Sequence, residues 1–229
     1  MPGAAKAIEA RLSHQFADRR FLTEALTHSS AVGRGRGRRS NERLEFLGDR
    51  VLGLVIADLL IAAYPGEGEG DLSRRHAALV RRETLAEVGS TLGAAHWLVV
   101  GRSEEEARGR TNPALLANVV EALIGALYLD AGLVAAERFI RQHWLPRLES
   151  MPVPPRDAKT ALQEWAQSRG LGLPTYEVAA VAGPAHAPRF DVSVSLAGFE
   201  PGRAVAGSKR AAEQAAAEQL LARLAGPDA

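Results

Sequence analysis

Between Ser40 and Leu60 the chain reads SNERLEFLGDRVLGLVIADLL, and no other stretch limits its fold so tightly. Leu44, Phe46, Leu47, Val51, Leu52, Leu54, Val55 and Ile56 take up most directions around a helix, so this helix must be covered on several sides. Its first turns nevertheless carry Glu42, Glu45 and Asp49, which a period of 3.6 residues places within an arc of about 60°. A solvated acidic face is one reading. The other starts from cost: carboxylates beside apolar surface repel one another and lose hydration unless a cation or donors compensate. Arg43 and Arg50 can do part of this. A hard divalent cation such as Mg²⁺ can do more, because it selects oxygen ligands and keeps waters available for a substrate phosphate.

A second apolar segment repeats the pattern. In ALLANVVEALIGALYLD, residues 114–130, Asn118 and Glu121 lie one turn apart, offering a carbonyl oxygen and a carboxylate. A buried hydrogen-bonded Asn–Glu pair would also account for them. Two such helices, each with a face of oxygen donors, favour the metal over either helix alone.

The rest of the first 150 residues is helical by periodicity. FLTEALTHSS (21–30), the segment 41–64, LSRRHAALVRRETLAEVGSTLG (72–93), the segment 112–132 and VAAERFIRQHWLPRL (134–148) repeat apolar residues at helical spacing. DAG at 130–132 suits a helix stop. The run PRLESMPVPPR, residues 146–156, then predicts a stiff linker over 151–156. Beyond it the pattern changes. DAKTALQEWAQSRG reads as a helix, TYEVAAVAG, FDVSVSL and RAVAG as strands, and SKRAAEQAAAEQLLARLAG as a long helix that Ser208 is placed to cap. The expected architecture is α + (α+β): an all-α domain over 1–150, a Pro-rich linker, and a small α-β-β-β-α domain over 157–227.

Composition removes several classes of function. There is no cysteine, so disulfide frameworks, thiolate zinc sites and thiol catalysis are excluded. The first residues lack the apolar core of a signal peptide, and no uncharged apolar run reaches the ~18–20 residues of a spanning helix, so no membrane partner and a cytoplasmic location are expected. Net charge is +1, with 20 Lys and Arg against 19 Asp and Glu through residue 150 and eight of each beyond. A polyanion site must therefore come from local clustering, as in GRGRGRR at 33–39.

NERLEFLGDRVLG closely resembles the signature helix of the bacterial ribonuclease III family. THSS (27–30), EGDLS (69–73), TLAEVG (84–89) and LLANVVEALIGALYLD (115–130) follow in that family's order. KTALQEWAQ, LPTYEV, GPAHAPRF and GSKRAAEQAAAEQLL resemble its double-stranded-RNA-binding domain. The resemblance implies a metal-dependent endonuclease, homodimeric through the endonuclease domain, that cuts both strands of RNA duplexes to 5′-phosphate and 3′-hydroxyl ends. It implies ribosomal-RNA precursors, messenger and transfer RNA transcripts as substrates. By the same resemblance, Glu45, Asp49, Asn118 and Glu121 match metal-binding positions for Mg²⁺, with Mn²⁺ a possible substitute, and Asp49 and Glu121 are the most critical. Glu42 and Glu69 match auxiliary acidic positions. Thr160, Gln163, Glu164 and Gln167 match residues facing one minor groove, His186 reaches the next, and Ser208, Lys209 and Arg210 meet the intervening phosphates. This suits A-form RNA, which is recognised by shape, 2′-hydroxyls and phosphates rather than by its hidden base edges.

The chain departs from the family at three places. Asn118 stands where many members have Asp, keeping an oxygen ligand but losing a charge. His76 replaces a usual Arg, and SEEEARGRTNP (103–113) lacks a glycine pair. Two other functions remain open at this point: a duplex-RNA-binding scaffold without catalysis, and a helical metal hydrolase of small phosphates, for which the C-terminal domain would have no use.

Overall fold

A computed structural model of the chain describes residues 2–32, 39–107, 109–155, 157–184 and 188–224. The Gly/Arg stretch, apart from Arg39, lies outside these residues, as does His186. The chain divides into two compact units, residues 1–155 and 156–229.

The first unit is all-α: α1 Pro2–Arg11, α2 Arg19–Ala25, α3 Glu42–Ala63, α4 Glu69–Val80, α5 Arg82–Leu92, α6 Arg102–Glu106 and α7 Pro113–Glu149. Its centre is the contact between α3 and α7. α3 buries Leu44, Gly48, Val51, Leu52, Val55, Ile56, Leu59 and Leu60, a stripe at helical spacing. α7 buries nearly every residue from Leu115 to Leu127. The helix as a whole is apolar and long enough to cross a bilayer by composition alone, but here its first half is the core of the unit.

Backbone meets backbone where these two helices cross. A Cβ added to Gly48 would lie 1.8 Å from the Glu121 carbonyl oxygen, and one added to Gly125 would lie 2.3 Å from that of Leu44. Only glycine permits such an approach. The crossing sets Glu45 and Asp49 beside Asn118 and Glu121. Asn112 caps α7 by accepting a hydrogen bond from the Ala114 N–H at 3.0 Å, and Pro113 takes the first helical position. At Ala131 and Gly132 (φ 75°) the helix is interrupted, where DAG predicts a stop.

Two helical expectations differ from the structure. The segment 72–93 is not one helix, because Arg81 takes extended backbone (φ −68°, ψ 155°) and divides α4 from α5. Leu79 and Leu85 are each 1% exposed, and a continuous helix would turn residues six apart about 120° away from each other. The break allows both into the core. Outside partners satisfy carbonyls of the last α4 turn: the buried Trp144 indole donates to Leu79 O at 2.8 Å, and the Thr84 hydroxyl donates to Ala78 O at 2.8 Å. FLTEALTHSS likewise stops being helical at Ala25. Thr27 bridges Val99 in parallel fashion, and Ser29–Ala31 forms a 3₁₀ turn.

Met151 and Pro152, which the sequence places in the linker, are held by the first unit. Arg75, 1% exposed, donates to the Met151 carbonyl and, at 3.3 Å, to that of Pro152, while pairing with Glu67 at 2.6 Å. Its guanidinium stacks 3.7 Å from the centre of the Tyr64 ring.

The second unit is α8 Ala158–Ser168, β1 Thr175–Ala182, β2 Arg189–Ser195, β3 Gly202–Ala206 and α9 Lys209–Leu224. The strands form an antiparallel sheet in the order β1-β2-β3, with an irregularity between Val178 and Ala180. Its core joins Leu162 and Ala166 of α8 to Val194, Leu196, Ala216, Ala217 and Leu220. Ala212, Ala216 and Ala217 of α9 are buried, and the helix lies close on β3, where a Cβ on Gly202 would meet the Ala216 carbonyl at 2.4 Å. The fold is thus a helical domain followed by an α-β-β-β-α domain, as the sequence predicts.

Candidate metal centre and RNA-binding face

Glu45 and Asp49 lie one turn apart near the start of α3, half-buried, and the Gly48 crossing brings Glu121 of α7 alongside them. Burial pushes the Glu121 carboxyl up to about 7, reinforced by the charges of Asp49 and Glu45 and opposed by Arg82. Glu45 is also raised, first by burial and then by Glu42. His28 and a side-chain hydrogen bond from Asn118 act against that rise. All four residues matched to metal positions therefore share one electrostatic cluster with negative charge in excess of its compensation. Among the described residues, no three carboxylate or imidazole side chains converge tightly enough to hold an ion without moving. Asp49 shows why, since its carboxylate is engaged by the guanidinium of Arg50.

The auxiliary acids are placed differently. Glu42 is exposed at the first position of α3, accepting from Ser40 Oγ at 2.6 Å. Glu69 opens α4, accepts from Ser73 Oγ at 2.9 Å, and lines a mostly apolar cleft with Ala57, Ile61 and His76. Ala57 is two turns along α3 from Asp49, so Glu69 stands apart from the four. His76 makes a 3.0 Å hydrogen bond with the Gly53 carbonyl. A Cβ on Gly53 would come no closer than 3.7 Å to that ring, so Gly53, unlike Gly48, is not required by a close approach.

In the second unit Thr160, Gln163, Glu164 and Gln167 are all exposed, at the i, i+3, i+4, i+7 positions of α8 opposite Leu162 and Ala166. Ser208 accepts from the Ala211 N–H at 3.2 Å and so caps α9, leaving Lys209 and Arg210 exposed in its first turn. A groove lined by Thr160, Gln163, Lys209 and Arg210 joins the two helices into one face. Helix N-termini favour phosphate. Glu213 tempers this face, holding Lys159 at 2.6 Å and lying 3.9 Å from Lys209.

Three charged contacts were not evident from spacing: His28 toward Glu45, Arg82 toward Glu121, and Lys159 on Glu213, whereas Arg50, expected to compensate the acids of its own helix, is found on Asp49. Only the Arg81-Arg82 doublet and the histidine of THSS offered a signal, and neither gave a direction.

The pattern of Ribonuclease-III-like proteins matches residues 18–148, and the double-stranded RNA binding motif matches residues 158–224. Ribonuclease 3 of Azorhizobium caulinodans is 50% identical over 218 residues, covering 95% of this chain and 93% of its own. Ribonuclease 3 of Cereibacter sphaeroides is 51% identical over 219 residues, covering 96% and 95%. The solved nuclease domain of ribonuclease III from Campylobacter jejuni superposes with a TM-score of 0.56 at 36% identity, over 61% of this chain and 97% of its own. A helical domain that gathers the acids, an RNA-binding domain that follows it in sequence, and relatives alike over nearly their whole length place the chain in the ribonuclease III family, as an endoribonuclease of double-stranded RNA.

Proposed function

We propose that the chain hydrolyses RNA duplexes with the help of Mg²⁺ held by Glu45, Asp49, Asn118 and Glu121, leaving 5′-phosphate and 3′-hydroxyl ends, with Mn²⁺ able to substitute. The observation that carries this is the position of Glu121. A carboxyl pushed up to about 7 by burial and by two neighbouring acids is ordinarily a poor use of a core helix, and an all-oxygen donor set of this charge fits a hard divalent cation. When bound, Mg²⁺ supplies a water of lowered pKa and offsets charge developing on the phosphate and on the leaving 3′ oxygen. Asp49 must leave Arg50 to serve as a ligand, which frees that guanidinium at the edge of the site. Asn118 orients Glu45 through its amide and offers its carbonyl oxygen to the same place. The face formed by α8 and α9 holds the duplex through 2′-hydroxyls and phosphates.

Action on both strands requires two such sites, and α3 carries a surface suited to pairing. Phe46, Leu54 and Ile61 are 67%, 60% and 64% exposed on one side of the helix, an apolar band that favours a second copy. The Campylobacter jejuni nuclease domain is described as having a region involved in dimer formation. Ribosomal-RNA precursors and structured messenger and transfer RNA transcripts in the cytoplasm are the proposed substrates.

The test is cleavage of a long end-labelled RNA duplex by the full chain, with Mg²⁺ or with chelator, beside Glu121→Gln. Cutting that needs Mg²⁺ and that the variant loses is the expected result. Tight binding of the duplex without cutting by the unaltered chain would instead identify a scaffold.

A further inference from the structure

Arg82 opens α5, and α5 lies against α7 so closely at Gly89 that a Cβ there would come to 2.9 Å from the Leu116 carbonyl oxygen. Arg82 stands seven residues before that contact on α5 and Glu121 five residues beyond it on α7, and Arg82 is the cation whose charge reaches that carboxyl. Of the neighbouring guanidiniums, Arg81 lies 4.0 Å from Glu83, and Arg50 is held by Asp49 until that carboxylate turns to the metal. Arg82 is exposed and, among the described residues, forms no ion pair. A guanidinium serving only to compensate Glu121 would be expected to sit against it, dehydrated. At the open rim of an acidic cluster, its donors remain available to a ligand.

The phosphate chain of a duplex entering this site meets Glu45, Asp49 and Glu121, three acids that repel it. A metal offsets their charge at the cleaved phosphate but leaves the adjacent phosphates facing an acidic rim. Arginine is suited to that position, since its planar fork binds two phosphate oxygens and keeps its charge at any pH of interest. We propose that Arg82 is a substrate-positioning residue that pairs with a backbone phosphate of the RNA duplex next to the one that is cut. This rests on the metal-site reading above. The wider consequence is that α5, as well as α3 and α7, contributes to substrate alignment.

The experiment compares the full chain with Arg82→Gln, Arg82→Lys and Glu121→Gln on an end-labelled RNA duplex of about 30 base pairs, over a range of KCl and of Mg²⁺. Arg82→Gln is expected to lower kcat/KM about tenfold, the scale of one charged hydrogen-bonded contact. It should also make the salt dependence shallower by about one unit of log–log slope, as loss of a single phosphate contact does. Arg82→Lys should keep the slope and recover most of the efficiency, and the Mg²⁺ concentration for half-maximal cutting should not change. An unaltered slope and efficiency in Arg82→Gln, with Glu121→Gln inactive, would overturn the assignment while leaving the metal site intact. A shifted Mg²⁺ requirement with the slope unchanged would also overturn it, assigning Arg82 to Glu121 instead of RNA. If the unaltered chain does not cut, or Glu121→Gln cuts as well, the metal-site reading fails and this proposal fails with it.

Discussion

Glu121 shows how a candidate metal ligand can work against the fold that carries it. Its carboxyl is raised from 4.5 to about 7, chiefly by burial, so the folded chain holds this proton more tightly than the unfolded chain does. Between about pH 4.5 and 7 the folded state therefore binds more protons, and stability falls as pH rises through that window. Gln keeps the shape without the charge. In chelator at pH 8, Glu121→Gln is expected to melt a few degrees above the unaltered chain, and at pH 4.5 the two should coincide. Added Mg²⁺ should raise the melting temperature of the unaltered chain more than that of the variant, because a ligand stabilises the state it binds. Calorimetry at the two pH values checks this, and a variant less stable at pH 8 would refute the account. The spacing of Glu42, Glu45 and Asp49 was legible in the sequence because one helix fixes it. Arg50 was legible as a compensating cation, but its choice of Asp49 and the reach of Arg82 toward Glu121 were not, since those directions depend on rotamers and on how α5 is docked.

At the scale of elements, two glycines of one helix have opposite requirements. Gly48 faces the Glu121 carbonyl at 1.8 Å for an added Cβ, whereas Gly53 faces only the His76 ring at 3.7 Å. Gly48→Ala must part α3 from α7, a cost beyond the ~1–3 kcal/mol of ordinary overpacking, and it should leave the chain unfolded or inactive. Gly53→Ala should be tolerated or stabilising by about 0.5–1 kcal/mol, the helix preference of Ala over Gly. Urea denaturation of both variants checks the contrast. Arg75 gives a second element-scale expectation. Removing one partner of its buried pair with Glu67 leaves the other uncompensated, at about 3–5 kcal/mol, so Arg75→Met should lower the melting temperature by several degrees and release the Met151 and Pro152 carbonyls. Protection of the amides around residues 148–152 from hydrogen exchange should fall with it; unchanged protection would show that the segment is held by other contacts. Helices α3 and α7 were legible because each pattern is long and strongly periodic. The break at Arg81 was not, because Arg81 is no helix breaker: Trp144, 63 residues away, and the need to bury both Leu79 and Leu85 decide it.

At the scale of the whole molecule, the sequence divided the chain at its proline-rich run, and periodicity changed there because two different burial problems are being solved. Why α3 is apolar on more than one side was not resolved by periodicity, which cannot tell a face turned to the core from one turned to another chain. The structure separates a buried face from an exposed one. Leu44, Val51, Leu52 and Ile56 are buried, while Phe46, Leu54 and Ile61 are left exposed. An aromatic ring 67% exposed beside the acids costs solubility unless it is covered, and a two-fold interface covers it twice with one substitution's worth of sequence. For a chain of 24.4 kDa, sedimentation should therefore report twice that mass at micromolar concentration. Phe46→Asp should bring it to the single-chain value by placing two charges across an apolar contact, while leaving the core of α3 unchanged. If the paired sites each cut one strand, the same variant should lose coordinated cutting of both strands much more than it loses duplex binding, which belongs to the α-β-β-β-α unit. A monomer in the unaltered chain, or a Phe46→Asp dimer that still cuts both strands together, would move the pairing surface off α3.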